Sequence, residues 1–107
     1  MAFYLIQASY SVPATAALIK NPQDRSAVVK SMIEKAEGKL HGFWLSFGEF
    51  DVVAIAEVPD NVSAAALAMA VGSSGAMSAF RTTPLLSAAE SVAAMKKAAT
   101  VAYQPPG

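Results

Sequence analysis

Two β-rich runs stand back to back in the middle of this chain, Lys39 to Phe47 and Asp51 to Val58, and any fold must take them as a pair. Successive side chains of a strand point to opposite faces. In the first run Phe43, Leu45 and Phe47 alternate with Leu40 and Trp44. In the second, Val53 and Ile55 alternate with Val52, Ala54 and Val58, so both faces of the pair are apolar. A sheet apolar on both faces has to be covered on both. Between the runs, Gly48 followed by Glu49 predicts a two-residue type II′ hairpin, because glycine accepts positive φ at the first central position.

The flanking sequence supplies two βα units. Phe3 to Tyr10 is short, aromatic and β-rich, and Val12-Pro13 is expected to end it. Asn21-Pro22 sets a capping side chain before a proline at a first helical position. Val28, Val29, Met32, Ile33 and Ala36 then recur at helical spacing, with Gly38 as the expected left-handed terminator. After the hairpin, Asp60 caps a second helix over roughly Asn61 to Val71, and Gly72 and Gly75 bracket its exit. Met77 to Thr83 reads as a fourth strand stopped by Pro84. Ser87-Ala88-Ala89-Glu90 is a capping box that opens a last helix, with Val92, Met95 and Ala99 along one side.

The order β-α-β-β-α-β plus a C-terminal helix predicts an α+β, ferredoxin-like fold with a four-stranded antiparallel sheet. One domain spanning residues 1–107 is expected, with residues 103–107 as a frayed tail. Such a sheet carries both helices on one face, and the last helix is too short to cover the other. A second subunit, sheet to sheet, is the expected cover. The helix after Asp60 points the same way, since no charge occurs from Asn61 to Phe80 and its outer side offers only Ala, Ser and Asn. That side is expected to lie against the last helix or a neighbouring chain. A homo-oligomer, dimer or higher, follows.

Charge and composition exclude several classes. Eight basic and eight acidic side chains balance, with no basic run, so nucleic acid is not an expected partner. The chain has no cysteine, hence no disulfide and no thiolate metal site, which fits a cytoplasmic setting. Met1 to Gln7 lacks the basic and long apolar regions of a signal peptide. The uncharged stretch from Asn61 to Phe80 reaches spanning length, yet its Ala, Ser and Gly are too weakly apolar to hold a membrane span. No membrane partner, cofactor or metal is expected.

Few residues suggest chemistry. His41 is the only histidine, placed in strand two on the face of Lys39 and Phe43, and suits either a catalytic base or simply a strand residue. Glu49, at the hairpin tip, is free to meet a ligand or partner, while Asp51 suits either a ligand or the amides of the hairpin. Arg81 is the only charge between Asp60 and Glu90. An ion pair with Glu57 or Asp51 is its expected role, and binding a ligand anion the alternative. Tyr4, Tyr10 and Trp44 are strand aromatics that pack in cores or line pockets. No phosphate loop, nucleophile elbow or metal-ligand spacing is present.

The run Gly38-Lys39-Leu40-His41-Gly42-Phe43-Trp44-Leu45-Ser46-Phe47-Gly48-Glu49-Phe50-Asp51-Val52-Val53 resembles the signature of the GYD-domain family. These are small bacterial proteins with a ferredoxin-like, dimeric α/β-barrel fold. Tyr4-Leu5-Ile6, Asn21-Pro22, and Pro59-Asp60 with its Ala-rich helix are similar too, so the likeness covers about residues 3–90. Phe50 stands where the family usually has tyrosine, and no role resting on that hydroxyl carries over. The family has no assigned activity, so the resemblance implies a fold more than a function. Gly48 and Asp51 also match the Gly-x-x-Asp turn of Lrp/AsnC-type regulatory domains, where the turn lies near an effector site between subunits.

The leading expectation is therefore a non-enzymatic oligomeric module binding a small molecule at a subunit interface. Gly48, Glu49 and Asp51 would form its polar edge, with Trp44, His41 and Arg81 as further contacts. The alternatives are an enzyme similar to the cofactor-independent monooxygenases of the dimeric barrel type, using His41 or a tyrosine beside an apolar pocket, and a purely structural assembly protein.

Overall fold

A computed structural model describes residues 1–107. Its elements are β1 (Ala2–Tyr10), α1 (Val12–Lys20), α2 (Ser26–Lys35), β2 (Lys39–Leu45), β3 (Val52–Val58), α3 (Asn61–Gly72), β4 (Met77–Leu85) and α4 (Ala88–Ala98). The four strands form one antiparallel sheet in the order β2-β3-β1-β4, the ferredoxin-like arrangement. No helix is long and apolar enough to cross a membrane.

β3 sets the core. Its buried residues Val52, Ala54, Ala56 and Val58 fall at every second position and face the helices beside Tyr4 and Ala8 of β1. The small alanines let α2 and α3 approach closely, so Ile33 and Leu67 complete the cluster. Ile33 is fully buried, and Val29, Met32 and Ala36 pack around the same cluster at helical spacing. The Tyr4 hydroxyl donates to Oδ1 of Asn61, tying β1 to the start of α3.

Several boundaries differ from the sequence reading. Val12-Pro13 opens a helix instead of only ending a strand. Ser11 caps α1 by accepting from the Ala14 amide at 3.3 Å, and Pro13 sits in the first turn, where its missing N–H is not needed. Asn21 accordingly ends α1, and α2 begins at Ser26, whose amide donates to Asp24 Oδ1 at 2.8 Å. Pro84 does not stop β4, which runs on to Leu85. β4 is an edge strand, where proline costs no ladder bond. The caps at Asp60 and Ser87 are formed as expected, the second as a full capping box.

The left-handed residue at the end of α2 is Glu37 (φ 62°), not Gly38. Gly38 is needed for a different reason, close approach. A Cβ there would meet the Glu57 carbonyl oxygen at 2.4 Å and Val58 Cγ1 at 2.7 Å.

α4 stands off the rest of the chain. The radius of gyration is 17.1 Å, against about 13 Å for a compact domain of this length. None of its residues is buried, and it packs on neither α3 nor the sheet. The outer side of α3, with Val62 and Met69, is therefore exposed within the single chain.

Gly38→Ala is expected to lower stability by about 2 kcal/mol or more, because β3 backbone cannot yield to the added methyl. Chemical denaturation measures it, and an unchanged midpoint would refute the close-approach argument.

Candidate functional site

The residues singled out from sequence fall in three places. The first is the sheet face away from the helices. A row of paired positions crosses it as Trp44, Val53, Gln7 and Arg81. Trp44 and Arg81 thus lie on opposite edges, about 14 Å apart by strand spacing. Trp44 folds over Gly42, where a Cβ would meet the indole at 2.2 Å. Arg81 is in no ion pair, contrary to expectation; its guanidinium lies over the Phe50 ring, 5.3 Å from the centroid. Both carboxylates proposed for it are engaged elsewhere.

One of those carboxylates belongs to the second group. His41 Nε2 lies 3.0 Å from Glu57 Oε1, and the ring stacks on Phe3 with centroids 5.0 Å apart. The ladder of β2 and β3 slips at this point: Leu40 pairs with Ala56 and Gly42 with Ile55, leaving His41 as the bulged residue. A bulge breaks the two-residue alternation. His41 therefore joins Phe3 and Glu57 on the uncovered face, while Phe43 turns to the helices and does not share its face as expected.

The third group is the connection from Ser46 to Asp51. It is not a two-residue hairpin, and Gly48 does not take positive φ. The loop is docked onto β1 instead. Its neck closes through the Ser46 amide to the Asp51 carbonyl at 2.6 Å, and the Ser46 hydroxyl donates to the Phe50 carbonyl. The Asp51 amide donates to the Ala8 carbonyl at 2.9 Å. Asp51 Oδ2 accepts the Tyr10 amide at 3.0 Å, and the Ser9 hydroxyl donates to the Glu49 carbonyl at 3.2 Å. Asp51 is thus a structural acceptor that holds the end of β1. The Glu49 side chain and Gly48 remain exposed at the tip, beside a fully exposed Phe47.

The chain has a groove of ≈ 720 Å³ between α2 and α3, beside Val28, Met32 and Leu67, and, behind this loop on the helix side of the sheet, a second concavity. A cleft of ≈ 440 Å³ is bounded by Tyr10, Leu18, Arg25, Phe43 and Leu45, with Gln23 and Asp24 at its rim. An adjoining cleft of ≈ 300 Å³ shares Tyr10, Leu18 and Leu45 and reaches Thr15, Ser46 and Asp51. An inner, wholly apolar cavity of ≈ 60 Å³ shares Tyr10 and Phe43. The two outer clefts reach the size of small-molecule sites.

Tyr10 is common to the two clefts and the inner cavity. Its phenol is pushed above the ordinary tyrosine range chiefly by burial; Arg25 pulls it down and Asp51 pushes it up. The phenol therefore stays protonated at neutral pH and can donate. β1 and β4 also slip at Ser9 and Tyr10, the kind of irregularity that re-aims side chains near sites. Sequence reading had Tyr10 as a strand aromatic that packs in a core or lines a pocket, and passed over Arg25. The helical run Ala14–Ile19, hidden behind Val12-Pro13, was the signal that could have enclosed this cleft. No three His, Asp or Glu side chains converge anywhere to hold a metal.

With the fold and these sites in view, the comparisons give one family. The sequence matches the GYD domain model over residues 4–95, so the chain belongs to the GYD domain family. No curated protein and no solved structure matches it.

Asp51→Ala is expected to cost about 1–2 kcal/mol by stranding the Tyr10 amide, with Asp51→Asn closer to wild type because it keeps an accepting oxygen. Hydrogen exchange at the Tyr10 amide should quicken in the alanine variant only. Gly42→Ala is expected to expel the indole of Trp44, the only tryptophan, and shift its emission to the red. Unchanged emission would mean the indole does not rest on Gly42.

Proposed function

We propose that this GYD-domain chain acts as a homo-oligomeric module that binds a small molecule beside the Ser46–Asp51 loop, close to a subunit interface. The observation that carries the reading is the uncovered sheet face. Phe3, Leu5, Trp44, Val53, Ile55 and Leu85 share it by register, and no helix of the same chain covers it. Apolar strand faces of this extent are stable when a second layer excludes water from them. A second copy, sheet to sheet, supplies that layer by self-complementarity.

The loop links this face to the cleft. Phe50 sits under Arg81, which shares a paired row with Gln7 and Val53 of the uncovered face, while Asp51 borders the cleft and anchors Tyr10. A partner pressed against Trp44 and Arg81 would therefore bear on the cleft wall through one short segment. Gly48 and Glu49 at its tip would form the polar rim shared with the partner. A second reading, an enzyme acting on an apolar substrate without a cofactor, draws on the Tyr10 phenol. His41 contributes nothing to it there, being paired with Glu57 on the other face of the sheet.

Native mass spectrometry of gently purified protein is expected to give a dimer or larger ring with a reproducible bound mass. Val53→Lys, which sets a charge in the centre of the uncovered face, is expected to yield monomer with red-shifted Trp44 emission. A wild-type monomer at micromolar concentration would overturn the oligomer, and an assembly free of any adduct would count against the ligand.

A further inference from the structure

We propose that α4 is an exchanged arm, which docks into the groove between α2 and α3 of a second copy in the same assembly. This rests on the reading of the chain as a homo-oligomer and adds a second interface to the sheet contact, formed by other residues.

Two surfaces of one chain lack partners, and they are complementary. The first is α4 itself. Its start is closed by the Ser87–Glu90 capping box and its last turn carries Lys96 and Lys97, so the sequence specifies a helix there. Eleven residues do not hold a helix in water without packing, yet none of its side chains is buried in its own chain. Ala88, Val92, Met95 and Ala99 recur at helical spacing on one side, while Glu90 and Lys97 fall on the other. Val92 is 47% and Met95 68% exposed. Lys96 borders this stripe, where its stem can follow a groove wall with the charge in water.

The second surface is the groove of ≈ 720 Å³ beside Val28, Met32, Ala66 and Leu67. Val62 and Met69 continue the Ala66 side of α3 and are 78% and 73% exposed. α3 brings no charge to this wall, and Lys35, the one charged residue of the lining, belongs to α2 and is exposed. A helix with a charged face would lose hydration here without compensation. The uncharged stripe of α4 would not. The lengths agree as well, since α2, α3 and α4 have 10, 12 and 11 residues, about 15–18 Å each.

The chain does not fill its own groove. Only Leu86 and Ser87 separate β4 from α4, and Ser87 is extended (φ −66 to −68° region excluded from helix by its ψ of 164°) and committed to the cap. The helix is thereby directed off the body, and the molecule is 56 Å long but 22 Å thick. Nor does one arm hold two chains together. A helix about 16 Å long and 10 Å across covers far less than the roughly 1,200 Å² of a stable interface. It becomes effective between copies that the sheet contact already keeps at high local concentration. Arm and groove also occur in equal number, as exchange between copies requires.

The chain has no cysteine, so a nitroxide on Lys97→Cys, on the far side of α4, is a unique label. Spin-labelled protein is unfolded and refolded with isotope-labelled wild type so that copies mix. The wild-type amides of Met32, Val62, Ala66 and Met69 are expected to broaden. Val92→Asp in the spin-labelled copy, or Met69→Asp in the other, is expected to abolish this; both positions are exposed in the single chain, so its fold should persist. Ala94→Asp, on the far side of α4, is expected to leave the broadening intact. Broadening seen only when label and isotope share one chain would mean that α4 closes on its own body, and would overturn the exchange. Broadening indifferent to Val92→Asp and Met69→Asp would overturn it too. So would an oligomer whose α2 and α3 amides stay sharp, its groove left open to a foreign helix; the sheet contact would then stand alone. A monomer would remove both interfaces together.

Discussion

The close seating of α2 on β3 is the contact on which the rest of the molecule depends. Ile33 is fully buried against Ala56 and Val58, and the chain returns from α2 into β2 with Gly38 pressed on the β3 backbone. Had β3 carried large residues at Ala54 and Ala56, the helices would stand further from the sheet and Leu67 would lose its place. Glu37, not a glycine, takes the left-handed turn that makes this return possible. The residue with the freest backbone is reserved for the position with the least room.

From that seating follows the division of the sheet into two unlike faces. The helix side is closed over its centre but opens at the Tyr10 end, because α1 and the start of α2 bridge the corner without filling it. The other side has no cover from its own chain, and α4, which follows β4, extends away from it. The connection from Ser46 to Asp51 touches both. Three of its hydrogen bonds tie it to β1, and the Ser46 and Asp51 side chains close its neck and hold the end of β1.

Much of the fold was legible because its signals are local. Asp60 with Ser63, and Ser87 with Glu90, name helix starts through side-chain oxygens that reach nearby amides. The strand runs and their antiparallel order follow from alternation and chain length. Signals with two meanings were misread: Val12-Pro13 serves equally to end a strand and to open a helix, and here it does both. Asn21-Pro22 looked like a helix start, yet Asn21 ends the preceding helix.

The sequence by itself determined the four strands, three of the four helices, the apolar character of both sheet faces and membership of the GYD family, because each depends on neighbours a few residues apart or on a contiguous motif. Only the tertiary structure decided which polar groups meet. One inserted residue in the β2–β3 ladder carried His41 to Glu57 and away from Phe43. A stacked ring in place of a carboxylate took up Arg81. Tyr10 and Arg25, apart in sequence and joined by no motif, were brought to one cleft by the packing of α1 and α2 at the sheet corner. Register and long-range packing are sums over the whole chain, and no short stretch of residues encodes them.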